Sequence, residues 1–598
     1  MTDPVSENKT ANNRKWLIGL FVFFCAFLVY SNTFQGDFMY GDDEEIVLRN
    51  AYLQDWKHWP KLFTENYKAG AGTISNYYRP FQMMMYMFIV QTIGVTPWPF
   101  HFTNVLFHAL CGLFIYLLLF KVFEHKISPV MAGLAALIWV VHPIHVEEVA
   151  IPTGVCSPAH LFWILAGILA FLKAVRVPSV SLSLGGRGQG EGVPQKWMKS
   201  PFIYWYMLAM VSFILAVLTK ESAIVFPALV LACHIVVEMN KSDAGYGSEK
   251  QAHKHKHKKR PISAGKSEET SALSGLAKKL LYLHLPFWVL AGIYVILRLT
   301  ALNFANTLDF YTVPNEYTQN ILYRLYTLWT IIGFGLKILI VPMGLHPERS
   351  WPVYVNFWLT DVVVSLMIIT ALIAGGLFAW KKNRAVTLGI FWFFASYSPM
   401  SNLVAKINAI FWEHWFYTPS VGLIISGVGM IVIFAKQKIA GRILAGIAVL
   451  AVIALGASSY LRNPNWQSPF SYYSFILKHE PNSGKTWNNL AIALANMGKH
   501  AQAIECYTRA INIADQYPQT HHNLANSYQH MGHRDMAEKE FLKAIKMKPS
   551  FYHSHLALAE IYIGKNDRKL AIFHLEKVME IYPYIPRVKQ ALEALKKN

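Results

Sequence analysis

Eleven blocks of apolar residues recur along the first three-quarters of the chain, at 16–34, 101–123, 129–150, 158–175, 202–219, 223–239, 280–299, 361–380, 386–402, 414–435 and 440–461. Each approaches the about 20 residues that a membrane-crossing helix needs. Two further apolar stretches, 80–96 and 321–341, are shorter or interrupted. After residue 461 polar residues dominate. The pattern predicts an all-α protein: a polytopic helix bundle of about eleven spans over 1–461, then a soluble helical region over 462–598.

The connections alternate in charge. Arg14 and Lys15 precede the first block, and Lys121 and Lys126 follow the second. Lys173, Arg176, Arg187, Lys196 and Lys199 follow the fourth. The 240–279 segment, Lys381, Lys382 and Arg384, and Lys436, Lys438 and Arg442 continue the series. Loops rich in Lys and Arg stay in the cytoplasm. Residues 142–157 contain two Glu and no Lys or Arg, and 300–320 contain Asp309 and Glu316, so these face outside. The alternation closes with an odd number of spans. Eleven satisfies it, which makes 80–96 and 321–341 external interfacial or re-entrant helices and places 462–598 outside. The first block lacks a small-residue cleavage site after it and reads as a retained span.

Composition agrees with a membrane protein. Of 598 residues, 54% are hydrophobic and 15% charged, against about a quarter charged in soluble domains. The net charge of +20 suits nucleic acid or an anionic membrane surface. Its placement in alternate loops assigns it to membrane topology and argues against nucleic acid. The run from His253 to Arg260 reads as a solvated cytoplasmic loop beside anionic lipid headgroups. The Gly-rich piece 185–190 joins no strand to a helix, so it is no phosphate-binding turn. The five cysteines form no CxxC pair, and neither a disulfide framework nor a zinc site follows.

The polar region repeats with a period of 34. Leu490, Leu524 and Leu558 keep it, as do Ala491, Ala525 and Ala559, and Ala503, Ala537 and Ala571. Gly498 and Gly532 mark the turn between paired helices, with Asn566 in the third place; Pro481, Pro549 and Pro583 fall at the ends of units. This is the signature of tetratricopeptide repeats: three repeats, a half-repeat at 466–482 and a final helix at 585–597. Such arrays present a concave surface. Asn488, Asn489 and Asn523 lie on the first helices, which usually line it, and are candidates for docking a protein or peptide acceptor. Dimerisation or scaffolding would use the same surface.

Ionisable residues at membrane depth tend to be functional. The external side presents Asp42-Asp43-Glu44-Glu45, then Tyr77-Tyr78-Arg79-Pro80, then His142-Pro143-Ile144-His145-Val146-Glu147-Glu148, then Lys220-Glu221, then Glu413-His414. Repulsion within the acidic run raises the pKa of at least one member, as a general base or a metal ligand often requires. Arg79 between aromatics suits a phosphate oxygen, and equally a snorkelling side chain. Lys220 and Glu221 are close enough in sequence to satisfy each other. One shared outer cavity for a lipid-linked anionic substrate accounts for all five clusters.

On these residues the chain resembles the GT-C superfamily of integral-membrane glycosyltransferases, and more closely the transmembrane and tetratricopeptide-repeat O-mannosyltransferases and their bacterial relatives. The resemblance rests on 38–50 with Asp42-Asp43, on Tyr78-Arg79-Pro80, on His101-Phe102-Thr103-Asn104 with His108, and on His142-Pro143 with His145 and Glu147. It extends through Lys220-Glu221, Glu413 to Gly422, and the half-repeat from 466 to 481. It implies catalysis by Asp42 and Asp43 in an external loop, 35–80, with one as general base. It implies inverting transfer of a mannose-like hexose from a polyprenyl-phosphate donor to a protein hydroxyl. Arg79, Lys220, Glu221 and His414 are then the donor-phosphate residues, with Glu221 orienting Lys220; His142, His145, Glu147 and Glu413 line the substrate. Some members of the superfamily use a divalent ion such as Mg or Mn and others do not; Asp43 and Glu45 are candidate ligands. The family usually has Arg where this chain has His414, which makes the donor contact altered or pH-dependent. A glycan, lipid or cell-wall acceptor is the alternative within the class, and a non-catalytic membrane scaffold the alternative outside it. The expected location is a bacterial inner membrane with periplasmic repeats, or the endoplasmic reticulum membrane with luminal repeats in a eukaryote.

Overall fold

The computed structural model describes residues 4–39, 41–176, 201–253, 265–304, 315–404, 406–407, 409–434, 438–582 and 586–597. The basic run after His253, the Gly-rich piece 185–190, Asp309 and Pro583 lie outside the described residues. The chain is all helical there and divides into two compact units, Met1–Trp466 and Gln467–Asn598.

In the first unit, nine helices among the described residues are long and apolar enough to cross a membrane. The bent pair Pro129–Val140 and Pro143–Ala150 makes a tenth if it is one span. Large apolar side chains on these helices remain uncovered, among them Leu17, Phe21, Phe24 and Leu28 on the first and Leu450 and Ile453 on the last. Such ridges suit lipid rather than water.

The nine include Ile321–Ile340, which is not among the predicted eleven, and omit the bent pair at 129–150 and two short helices, Arg384–Tyr397 and Ser420–Phe434, of 14 and 15 residues. Each is only about 20 Å long, against about 30 Å of hydrocarbon. They pack backbone to backbone: a Cβ on Gly389 would collide with the Gly422 carbonyl. Only glycine allows that approach.

Contacts sort the helix ends into two layers. At the basic end, the Tyr116 hydroxyl donates to the Lys15 carbonyl, Arg176 pairs with Glu124, and Asn240 donates to the Val122 carbonyl. At the other end, Arg298 binds the Asn76 carbonyl, Asn463 donates to the Val29 carbonyl at 2.9 Å, and the loop before Pro80–Thr92 meets Glu221.

Ile321–Ile340 is one unbroken 20-residue helix, longer than the interrupted stretch read from the sequence, and it passes the length test. Both its ends carry contacts to the outer layer. Arg324 in its first turn donates to the Asn402 carbonyl, and the Leu339 carbonyl in its last turn faces His142 Nε2 at 3.1 Å. Thr327, Leu328, Ile331, Leu336 and Ile338 are buried along one side. By length and composition it is one of the nine candidate spans, where the sequence predicts an external interfacial or re-entrant helix. Pro80–Thr92, at 13 residues, is too short to cross; Arg79 before it and Gln91 in it both bind outer-layer groups, Glu221 and the Leu53 carbonyl.

The second unit stacks helix pairs: Gly484–Asn496 with His500–Ile513, Pro518–His530 with Arg534–Met547, and Tyr552–Gly564 with Arg568–Ile581. Pro469–His479 precedes them and Pro586–Lys597 follows. The six periodic alanines, Ala491, Ala525, Ala559, Ala503, Ala537 and Ala571, are all 0% exposed. Small side chains at the crossings explain the period. Gly498, Gly532 and Asn566 have φ of 75°, 80° and 56°; the left-handed turn between paired helices selects Gly or Asn there.

Candidate functional site at the outer layer

The segment between Val140 and Cys156 organises the site. Pro143–His145 and Val146–Ala150 are short turns, so the chain doubles back instead of extending the preceding helix. Gly154 closes the turn under the Glu148 carbonyl, in a space that a Cβ would fill. The strap thereby offers Glu147, Glu148, Thr153 and Ser157 to three other loops.

Thr153 takes Asp43. The Asp43 carboxylate is fully buried. Its Oδ2 accepts from the Met39 N–H at 2.7 Å, and its Oδ1 accepts from the Thr153 N–H at 3.2 Å and from the Thr153 hydroxyl. Burial outweighs these hydrogen bonds and, with Asp42 beside it, raises the carboxyl to about 7. Asp42 and Asp43 are therefore not a joint acidic pair. Asp42 is 72% exposed and pairs with Lys68 at 2.8 Å. Lys68 also holds Glu45 at 2.6 Å.

These engagements leave Asp43 and Glu45 unsuited to share a divalent ion. Among the described residues, no group of three or more His, Cys, Asp or Glu gathers as a ligand set.

Glu148 takes Lys220, at 3.8 Å, and Ser157 accepts from the same Nζ at 2.6 Å. The expected Lys220–Glu221 partnership is replaced. Lys220 is extended and Glu221 begins a tight turn, so successive side chains diverge. Glu221 instead accepts from Arg79 Nε at 3.2 Å and from the Tyr78 N–H at 3.0 Å. Arg79 also lies over the Tyr77 ring, 4.6 Å from its centroid.

Glu147 takes His414. His414 Nδ1 is 3.0 Å from Glu147, and its Nε2 is 3.6 Å from Glu148. Burial opposes the charge on this imidazole, but the two carboxylates outweigh it and raise its pKa. His414 sits in the short turn Glu413–Phe416, ahead of the helix Ser420–Phe434. Glu413 accepts from Arg349 Nη2 and from the His346 N–H, both at 3.1 Å. Burial still lifts Glu413 to about 7, despite its cationic neighbours.

His142 and His145 are buried among aromatic rings rather than presented at a surface. His145 packs 4.5 Å from Trp139 and 4.6 Å from Tyr417. His108 joins this cluster, with Nδ1 2.6 Å from the Tyr417 hydroxyl. A small void lies between the strap, Lys220, His414 and Tyr417. At about 10 Å³, it has room for roughly one water. Among the described residues, the charged groups around this void form a hydrogen-bonded network.

In the second unit, Asn488 and Asn489 lie on Gly484–Asn496 and Asn523 on Pro518–His530. All three are half-buried, and Asn488 Nδ2 donates to Asn489 at 3.2 Å.

Sequence reasoning missed Lys68, Thr153, Arg349 and Arg462, and named Glu148 only within the 142–148 cluster. The cations carried a readable signal: each is a Lys or Arg in a loop or at a helix end that the charge alternation predicts to be external, where such residues are few.

Fold and site together define a multi-pass membrane protein whose outer loops join carboxylates, imidazole and cations, followed by tetratricopeptide repeats. Models of the tetratricopeptide repeat match residues 482–550 and 552–584. The chain is 22% identical over 559 residues to the protein O-mannosyl-transferase TMTC1 of Mus musculus, covering 82% of this chain and 57% of the relative. It is 25% identical over 520 residues to TMTC4 of Mus musculus, covering 82% and 65%. It is 29% identical over 185 residues to Tmtc2 of Drosophila melanogaster, covering 30% and 18%. The chain therefore spans less than two thirds of the length of these relatives. The relationship to this group of membrane proteins with repeats is distant and consistent.

Proposed function

We propose that this chain is a membrane glycosyltransferase that moves a mannose-like sugar from a polyprenyl-phosphate donor to a protein hydroxyl on the external face. The observation that carries the reading is the joining of acidic, imidazole and cationic side chains from three other loops by one strap. Relatives that align with 82% of the chain bear the name protein O-mannosyl-transferase, which supports the same reaction class.

The roles follow from exposure and charge. Asp42 is the exposed carboxylate and acts as general base; Lys68 orients it. Asp43 is a positioning residue that fixes the loop to the strap through Thr153. The acceptor oxygen attacks the anomeric carbon as its proton passes to Asp42. The bond from that carbon to the phosphate oxygen breaks, and polyprenyl phosphate leaves with the electron pair. Cations at the leaving oxygens stabilise the developing charge, and Arg79, Lys220 and protonated His414 supply them. Glu221 holds Arg79 in place, and Glu147 and Glu413 hold the imidazole and guanidinium groups beside the sugar. His142 and His145 close the wall behind them. The repeats present the acceptor, with Asn488, Asn489 and Asn523 binding its backbone.

The test is sugar transfer by purified protein from radiolabelled polyprenyl-phosphate sugars to protein in a native extract. Loss of a general base lowers the rate by about 10²- to 10⁴-fold, so Asp42→Asn is expected to lose transfer to that extent. Full transfer by Asp42→Asn refutes the assigned base, and label reaching only lipid or glycan refutes the protein acceptor.

A further inference from the structure

Three carboxylates of the outer network each have a cationic partner, Arg298 and Arg324 meet backbone carbonyls, and Arg462 has neither kind of partner among the described residues. Glu147 is matched by His414, Glu148 by Lys220 and Glu413 by Arg349. Arg462, at the end of the last apolar helix, has no carboxylate within ion-pairing distance among the described residues, although it lies near Glu147 and Glu413. Its Nε and Nη1 are buried without an acceptor. One face of the guanidinium is covered by the Trp466 ring, 5.2 Å to the centroid. Tyr30, fully buried and close enough to sense the charge of Arg462, also has a hydroxyl without a partner. Buried donors normally find acceptors, and a charged one is the most costly to leave alone. Asn463, next to Arg462, donates to the carbonyl of Val29, next to Tyr30, at 2.9 Å, which brings the unpartnered guanidinium N–H groups and the phenol hydroxyl into one neighbourhood.

We infer that Arg462 and Tyr30 form an anion subsite that takes a phosphate monoester or diester. A phosphate offers several acceptor oxygens to a planar fork of donors, and it neutralises the unpartnered guanidinium. The protein itself provides neither. Only the identity of the phosphate's carrier, a polyprenyl lipid, rests on the proposed function.

The experiment measures binding to the full chain in detergent, with farnesyl phosphate, inorganic phosphate and farnesol as separate probes. A charged hydrogen bond is worth about tenfold or more in affinity, so Arg462→Gln is expected to weaken farnesyl phosphate binding at least about tenfold. Arg462→Lys, which keeps the charge and loses the fork, is expected to fall between. Tyr30→Phe preserves packing and is expected to weaken binding a few-fold. Lys57→Gln, on an exposed loop, serves as a control. If Arg462→Gln does not fold, the Lys and Phe variants decide. Farnesyl phosphate affinity within twofold of wild type in every folded variant overturns the inference and leaves ordered water as the occupant. Inorganic phosphate binding as tightly as farnesyl phosphate, with the same dependence on Arg462, identifies free phosphate as the ligand. Phosphate binding that depends on Arg462 in a protein that transfers no sugar sinks the enzyme reading alone. Sugar transfer with unchanged binding in the variants sinks this inference alone.

Discussion

Asp43 links the first outer loop to the strap, and its buried carboxyl makes stability depend on pH in a direction opposite to that of most acidic residues. Its ordinary value of 3.8 rises to about 7 in the fold, so the folded state keeps a proton that the unfolded chain releases. Stability from this group is present at acid pH and is lost as pH rises from the unfolded toward the folded value. Taking 3.8 and about 7 as the two limits, the loss between about pH 5.5 and about pH 8 is roughly 2 kcal/mol. Asp43→Asn removes the titration. An amide cannot accept at both oxygen positions, so it forfeits the bond to either the Met39 or the Thr153 N–H, at about 1–3 kcal/mol. The variant is therefore expected to be less stable than wild type at about pH 5.5 and to draw level by about pH 8, where the wild-type carboxylate carries its ionisation penalty. Denaturation of both proteins across that range, in one detergent, measures the difference and cancels the other titrating groups. A gap that stays constant with pH, or that widens toward alkaline pH, refutes the argument that burial governs Asp43.

Two further outcomes test the strap and the repeats. Gly154→Ala sets a Cβ against the Glu148 backbone. Overpacking of this kind costs about 1–3 kcal/mol, and loss of sugar transfer beyond the loss of folded protein is the expected result; unchanged transfer would show that the strap yields without consequence. In the repeats, His521 bridges Glu540 at 2.6 Å and Asp515 at 2.8 Å, and the Glu540 hydrogen bond leads in raising its pKa despite partial burial. Its stabilisation is complete below the ordinary histidine value and fades as pH rises through the raised one. Protection of the Pro518–His530 amides, taken relative to unstructured amides at the same pH, is expected to fall over that rise in the full chain and to be flat with pH in His521→Gln.

The fold was legible because its determinants are periodic. Lipid demands long apolar blocks, repeats demand small residues at helix crossings, and both leave regular marks in a sequence. The helix Ile321–Ile340 shows where the pattern misleads. Polar residues interrupt its apolar run in the sequence, yet it folds as one continuous helix of span length. The site was legible as a set of loops but not as a set of pairs. Lys220 and Glu221 are neighbours in sequence, and their side chains leave in different directions to Glu148 and Arg79. Neighbouring Asp42 and Asp43 likewise differ from exposed to fully buried. Sequence proximity does not fix side-chain direction in irregular backbone, where no helical or strand period applies.

The outer cations carry the argument one step further. Lysine and arginine mark the cytoplasmic side of a membrane protein, so each one placed outside runs against a general bias. In this chain Lys68, Arg79, Lys220 and Arg349 all do so, and each of them meets a carboxylate. Arg298 and Arg324 meet backbone carbonyls instead, and Arg462 has neither kind of partner among the described residues. A buried charge that is neither topological nor paired has no structural reason to be there. Among the described residues, Arg462 is therefore the cation whose presence in the outer network is best explained by a ligand, and the side chain whose replacement most directly separates a substrate-binding network from one that only holds loops together.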